Sequence, residues 1–180
     1  MSQRPGEEPP TADAVARYDT VLQAALDDMG LAYSREAVGS YLVRLEGAHK
    51  LATMTWLVAG RHSLRVEAFF CRRPDENEAG FYRYLLGRNA TMYAMAFSVD
   101  HLGDIFLVAR LPLAAVDPVE IDRLLGCVLT YSDEAFDHAL QLGFGSSIRR
   151  EWAWRRKRGE SVANLAAFAR FADPERGARF

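Results

Sequence analysis

Two blocks of alternating residues joined by short turns commit the middle of this chain to antiparallel sheet. They cover residues 41–70 and 92–111. In the first block Leu64, Val66, Ala68 and Phe70 alternate with Ser63, Arg65 and Glu67. Successive side chains of a strand point to opposite faces, so a period of two describes a sheet with one buried and one wet face. Residues 41–46 and 51–58 form two further strands, with turns at 47–50 and 59–61. Turns this short cannot carry a parallel crossover, so the three strands form an antiparallel meander. The second block reads as a hairpin, 92–99 against 104–111, with Gly103 in its turn free to adopt a positive φ.

Helical periods flank the strands. Thr11 is placed to cap a helix over about 12–29, whose Val15, Tyr18, Leu22, Ala25 and Met29 recur at spacings of three and four. Gly30 suits the left-handed position that ends it. Residues 76–89 predict a second helix, with Phe81 over Leu85 and Tyr82 over Leu86. A third begins at Asp117 as N-cap, with Pro118 first in the helix and Glu120 three residues after the cap. Its apolar residues, among them Ile121, Leu124, Leu125, Val128, Leu129, Phe136 and Leu140, occupy more than one face, which asks for deep burial or a partner. The spacing predicts that it ends at Gly143 and that Ser146 or Ser147 caps a further helix to Arg158. The chain is thus expected to comprise a disordered Pro- and Glu-rich arm (1–11), one α+β domain (12–158), and a short helix with a frayed tail (159–180). The domain order is α-β-β-β-α-β-β-α, a five-stranded antiparallel sheet with helices on one face plus a C-terminal helical extension.

Catalytic signatures are missing from this pattern. His49, His62, His101 and His138 are scattered and lack metal-ligand spacing. Gly143-Phe-Gly145-Ser-Ser follows a helix rather than a strand and lacks the Gly-Lys-Ser/Thr ending of a phosphate loop, so it reads as a connector. No nucleophile elbow occurs. Cys71 and Cys127 lie far apart and read as free thiols. The expectation is therefore no catalytic residue, no metal and no cofactor. The chain's 180 residues hold no apolar run of about 18, so no membrane span is expected, and the polar start is no signal peptide. A cytoplasmic location follows by exclusion.

Charge supplies the sharpest surface feature. Residues 149–158 hold six bases and one acid, and residues 117–137 six acids and one base. The expected arrangement is partial neutralisation across a helix-helix contact or plain solvent exposure, with partner binding as the second reading. Arg149, Arg150, Trp154, Arg155, Arg156 and Arg158 are the candidate partner-binding residues. Trp152, four after Ile148, is expected to pack on the domain. A net charge of −2 and a pI near 6.1 argue against nucleic acid.

The residues of 89–154 also carry a resemblance. Met92-Tyr-Ala-Met-Ala-Phe97, Gly103-Asp-Ile-Phe-Leu107, Arg110-Leu-Pro-Leu113 and Gly143-Phe-Gly-Ser-Ser-Ile-Arg-Arg-Glu-Trp-Ala-Trp154 resemble the YbjN-domain family of bacteria, with a Trp-rich end similar to its high-GC Gram-positive branch. The resemblance spans roughly residues 12–158. It implies a fold similar to type III secretion chaperones, which are non-enzymatic dimers that hold extended segments of client proteins. It brings no catalytic residues. The expected function is a non-catalytic protein-interaction domain, chaperone-like or regulatory, that binds a protein client and self-associates as a homodimer. The alternative is a small-molecule or nucleotide sensor with a pocket between sheet and helices.

Overall fold

A computed structural model describes residues 12–161, so Thr11, the arm and the tail after 161 lie outside the described residues. Helix α1 (Ala12–Asp28) is followed by strands β1 (Ala32–Ala37), β2 (Ser40–Leu45), β3 (Thr53–Ala59) and β4 (Ser63–Cys71). Helix α2 (Glu78–Asn89) leads to β5 (Ala96–Val99) and β6 (Ile105–Pro112), and α3 (Pro118–Arg158) is the last element among the described residues. All pairings are antiparallel, in the order β1-β2-β3-β4-β6-β5.

The sheet has six strands, not five. The additional strand is β1, whose sequence Ala-Tyr-Ser-Arg-Glu-Ala carries no apolar alternation because all of it but Tyr33 is exposed. An edge strand is held by its ladder and needs no buried face. Its signal lay in the turn: Ala37 pairs with Ser40, so Val38 and Gly39 form a two-residue hairpin loop, with Gly39 at φ 72°. Gly30 likewise has the left-handed φ, 63°, expected after α1.

One face of the sheet forms the core. Tyr41, Val43, Leu57, Leu64, Val66, Phe70, Ile105 and Leu107 are almost completely buried, and so are Leu22 and Leu26 of α1, Phe81 and Leu85 of α2, and Ile121, Leu124 and Val128 of α3. Each such side chain contributes about 1.5–3 kcal/mol on leaving water. Helices α1 and α3 lie over β3, α3 also over β4, and α2 beside β5. Asp19 of α1 accepts hydrogen bonds from Gly39 N at 2.8 Å, the Tyr41 hydroxyl at 2.7 Å and the Arg35 guanidinium at 2.7 and 3.1 Å. Burial opposes ionisation of Asp19, but the Arg35, Gly39 and Tyr41 donors outweigh it and hold the carboxyl below its ordinary range.

Helix α3 starts as its sequence demands: Asp117 Oδ1 accepts from Glu120 N at 2.8 Å, with Pro118 in the first turn. It does not end at Gly143. It is continuous for 41 residues, and the separate last helix capped at Ser146 or Ser147 is absent. Gly143 and Gly145 are buried inside it. A Cβ on Gly143 would stand 2.7 Å from the Phe81 ring and 2.9 Å from Pro74. The glycine therefore admits the segment before α2 against the helix backbone. There the Gly143 carbonyl accepts from Asp75 N and Glu76 N at 2.9 and 3.1 Å, and Ser146 N donates to the Glu76 carboxylate at 2.6 Å.

Candidate functional site

Three features outside the core merit consideration, and the broadest is the sheet's second face. The alternation that buries Tyr41, Val43 and Leu45 turns Leu42 and Arg44 outward, and the neighbouring strands follow in register. Leu42 pairs with Trp56, Trp56 with Glu67, and Glu67 with Val108. Phe69 pairs with Phe106, their rings edge to face at 5.5 Å. Met54, Trp56 and Phe69 are 39%, 36% and 42% exposed, too much for side chains under a covering layer. Arg44, Arg65 and Arg110 border them, all exposed. The face is thus a set of large apolar side chains interrupted by Glu67, which Arg65 approaches to 3.9 Å, and edged by guanidinium groups.

The second feature is a cavity of about 580 Å³ where the end of β4 meets the middle of α3. Phe70, Phe136, Leu140, Phe144 and Ile148 wall it, and Lys50 reaches into it. Lys50 is only 8% exposed. It is held in place by its own backbone, because Asp133 of α3 accepts from both His49 N and Lys50 N at 2.8 Å. Its ammonium donates to the Phe69 carbonyl at 2.6 Å and lies 5.6 and 5.9 Å from the Phe70 and Phe136 ring centres. Burial pulls the amine down to about 8, and pushes the neighbouring Cys71 thiol up to about 12. Sequence reading missed Lys50, since a lysine in a Gly-containing turn carries no sign of burial.

The third feature holds the predicted partner-binding residues. All six lie on the last three turns of α3, but they do not form one patch. Arg150, Trp154 and Arg158 follow one another at i, i+4 and i+8; the Arg158 guanidinium lies 4.8 Å from the Trp154 ring centre, and Trp154 is 46% exposed. Arg155 bonds Glu151 at 2.6 Å. Arg149 and Arg156, seven apart, share a different side of the helix and are exposed. Trp152 is half-buried.

Of the two expected arrangements, neutralisation between the acidic and basic segments does not occur, and Arg149, Arg150, Arg156 and Arg158 face solvent. Both segments belong to one helix, and their nearest charges, Asp137 and Arg149, stand about 18 Å apart along it at 1.5 Å per residue. That exceeds the screening length of about 8–10 Å in ordinary salt. The acids have other partners: Glu134 bonds Arg88 at 2.8 Å, and Asp137 meets His49 Nδ1 at 2.8 Å.

Among the described residues no group of three or more His, Cys, Asp or Glu is placed to hold a metal ion. His138 lies against the Tyr84 ring at 4.5 Å. Both cysteines are free thiols. No helix among the described residues is long and apolar enough to cross a membrane.

Comparison with known proteins places this geometry in a lineage. Residues 18–141 match the model of the YbjN family, described as "Putative bacterial sensory transduction regulator". The chain is 50% identical over 154 residues to uncharacterized protein Rv0487 of Mycobacterium tuberculosis, covering 83% of this chain and 84% of that one. It is 45% identical over 168 residues to uncharacterized protein ML2442 of Mycobacterium leprae, covering 91% of each. Among solved structures, a chain of the HopA1-SchA chaperone-effector complex superposes with a TM-score of 0.54 at 11% identity, over 72% of this chain and 99% of that one. At that identity the likeness is one of fold. The α+β architecture expected from the sequence is thus present with one more strand, and the protein belongs to the YbjN family.

Proposed function

We propose that this protein is a non-catalytic, cytoplasmic interaction domain that holds an extended segment of a protein client on the open face of its sheet. The strip formed by Leu42, Met54, Trp56, Phe69, Phe106 and Val108 carries the reading. Large apolar side chains exposed together, bordered by charge, mark interaction surfaces, and aromatic residues are the usual anchors. An extended segment presents alternate side chains to such a face, and the open edge of β1 offers backbone groups for strand addition. The presence of a similarly folded chain in a chaperone-effector complex supports the same reading. The basic end of α3, from Arg149 and Arg150 through Trp154 to Arg155, Arg156 and Arg158, is a second contact for acidic stretches of the client.

Self-association is the competing use of the same surface. The apolar perimeter of α3 asked for deep burial or a partner, and Ile121, Leu124, Leu125, Val128, Ala135, Ala139 and Phe144 are covered within one chain. A second copy would therefore compete with the client for the sheet face.

The test places a photo-reactive residue at Met54 or Phe106, with Val119 on α3, 65% exposed, as control. Crosslinking in a native bacterial host, followed by mass spectrometry, is expected to recover one or a few client segments from positions 54 and 106 only. The double variant Met54→Asp, Trp56→Asp should lose them. Equal products from all three positions, or none, would refute the client reading. Crosslinks confined to a second copy, with a dimer mass by light scattering that the double variant halves, would give the face to self-association.

A further inference from the structure

We propose that the cavity over Lys50 is a binding site for a small carboxylate with an apolar body, a second site that shares Phe69 with the client strip. Three observations carry this. First, the cavity is built for a molecule: its 580 Å³ falls within the roughly 300–1,000 Å³ typical of small-ligand sites. Second, its walls are the Phe70, Phe136 and Phe144 rings with Leu140 and Ile148, which select an apolar body. Third, more than nine-tenths of Lys50 is buried, and among the described residues no carboxylate pairs with its ammonium.

An ammonium has three donors, and here the Phe69 carbonyl accepts one. Two ring faces at 5.6 and 5.9 Å supply weak attraction. A buried charge with so little compensation is expensive, and a methionine or leucine at this position would fill the space without that penalty. The Asp133 carboxylate fixes the Lys50 backbone without approaching its amine, since its hydrogen bonds go to His49 N and Lys50 N. The fold thus holds a cation at the inner end of an apolar chamber and leaves its counter-charge to be supplied. A carboxylate meets the two remaining donors with charge-assisted hydrogen bonds, and its apolar body displaces water from the aromatic walls. Arg72, Asp75, Ser147 and Glu151 complete the lining: Arg72 ion-pairs with Asp75 at 3.6 Å while its guanidinium lies 5.8 Å from the Phe144 ring centre, and the Glu151 carboxylate is bonded to Arg155 at 2.6 Å, so these acids have cations of their own.

The lowered amine supports the same assignment. A bound anion favours the charged form, so binding draws a proton onto Lys50, and affinity falls as pH rises through about 8. Cys71 does not supply the charge, because burial keeps its thiol protonated to about 12.

The test is calorimetric titration of the full chain with sodium octanoate and with octanol. Wild type is expected to bind octanoate at least tenfold more tightly than octanol at pH 7, with the preference shrinking toward pH 9. Lys50→Met, which keeps the stem and removes the charge, should lose at least tenfold for octanoate and stay within twofold for octanol. Octanoate bound no better than octanol by the wild type, or an octanoate affinity that Lys50→Met retains, would overturn the proposal. Should Lys50→Met fail to fold, the wild-type pH profile decides: an octanoate preference unchanged between pH 7 and 9 rejects the ammonium as its source.

Discussion

Gly143→Ala should destabilise the protein relative to Gly126→Ala, although both substitutions lie inside the same helix. Alanine exceeds glycine in helix propensity by about 0.8–1.0 kcal/mol, so each change gains that amount if nothing else intervenes. At Gly126 nothing intervenes: a Cβ there meets no atom within 4 Å. Gly126→Ala is therefore expected to stabilise by about 1 kcal/mol. At Gly143 the new Cβ would stand 2.7 Å from a Phe81 ring carbon and 2.9 Å from Pro74 Cβ. Neither neighbour can yield cheaply, since Phe81 is fully buried and the segment beside Pro74 is bonded to the Gly143 carbonyl. Overpacking of this kind costs about 1–3 kcal/mol. The net effect of Gly143→Ala is a loss of about 0–2 kcal/mol, which separates the two variants by about 1–3 kcal/mol. In a chain of this size each kcal/mol moves the melting temperature by about 2–4 °C. Urea and thermal unfolding of both variants read the difference directly. A Gly143→Ala protein as stable as Gly126→Ala would refute the close approach of α2's leading segment to α3.

Asp19→Ala should cost about 1–3 kcal/mol in urea unfolding at pH 7, because it leaves the buried Gly39 N–H without its acceptor. The folded carboxyl lies below the ordinary Asp value, so its stabilisation is present above the unfolded pKa of about 3.9 and is lost as pH falls through the folded one; a difference between wild type and variant that does not shrink on acidification would contradict the Arg35–Asp19 pairing. Replacing Arg155, Arg156 and Arg158 together by Glu should leave the urea midpoint unchanged and speed amide exchange only in the last turns of α3, where negative charge opposes the helix dipole. The wild type should give no nucleic-acid shift in electrophoresis at physiological salt, and a salt-sensitive complex that this variant abolishes would place nucleic acid ahead of an acidic protein segment.

The sequence was most legible where burial is one-sided. The alternation around Leu64, Val66, Ala68 and Phe70 fixed β4, its neighbours and the buried face, because each of those residues is inside. Asp117, Pro118 and Glu120 fixed the start of α3 because the cap is a local device. Strand β1 was illegible by periodicity, since an edge strand exposed on both faces leaves no apolar pattern. Gly143 misled for a different reason: a glycine that breaks a helix and one that admits a neighbouring backbone look alike until the neighbour, Pro74 and Phe81, is known. The site was legible only in part. Met54 and Trp56 read as ordinary strand residues, and no local pattern told which face the helices would leave open. Lys50 carried no signal at all, because its burial depends on Phe136 and Leu140, far along the chain.

The acids of α3 acquire a purpose once their partners are known. Asp133 reaches the turn before β3 and gathers the His49 and Lys50 amides; Asp137, one turn on, meets His49 Nδ1. Burial works against the charge on Asp133, yet the Lys50, His49 and Ala48 amides outweigh it and keep the carboxyl ionised below its ordinary range. Two carboxylates from one face of the helix thus clamp a single turn, and that turn is the one that carries Lys50 into the aromatic chamber. Asp133 and Asp137 therefore act on the turn that carries Lys50, and Glu134 on Arg88, so the opposite charges of the two halves do not reflect mutual compensation. The basic end begins about 18 Å beyond Asp137, outside the screening length, and pairs with acids of its own, Arg155 with Glu151 and Arg158 with Glu160.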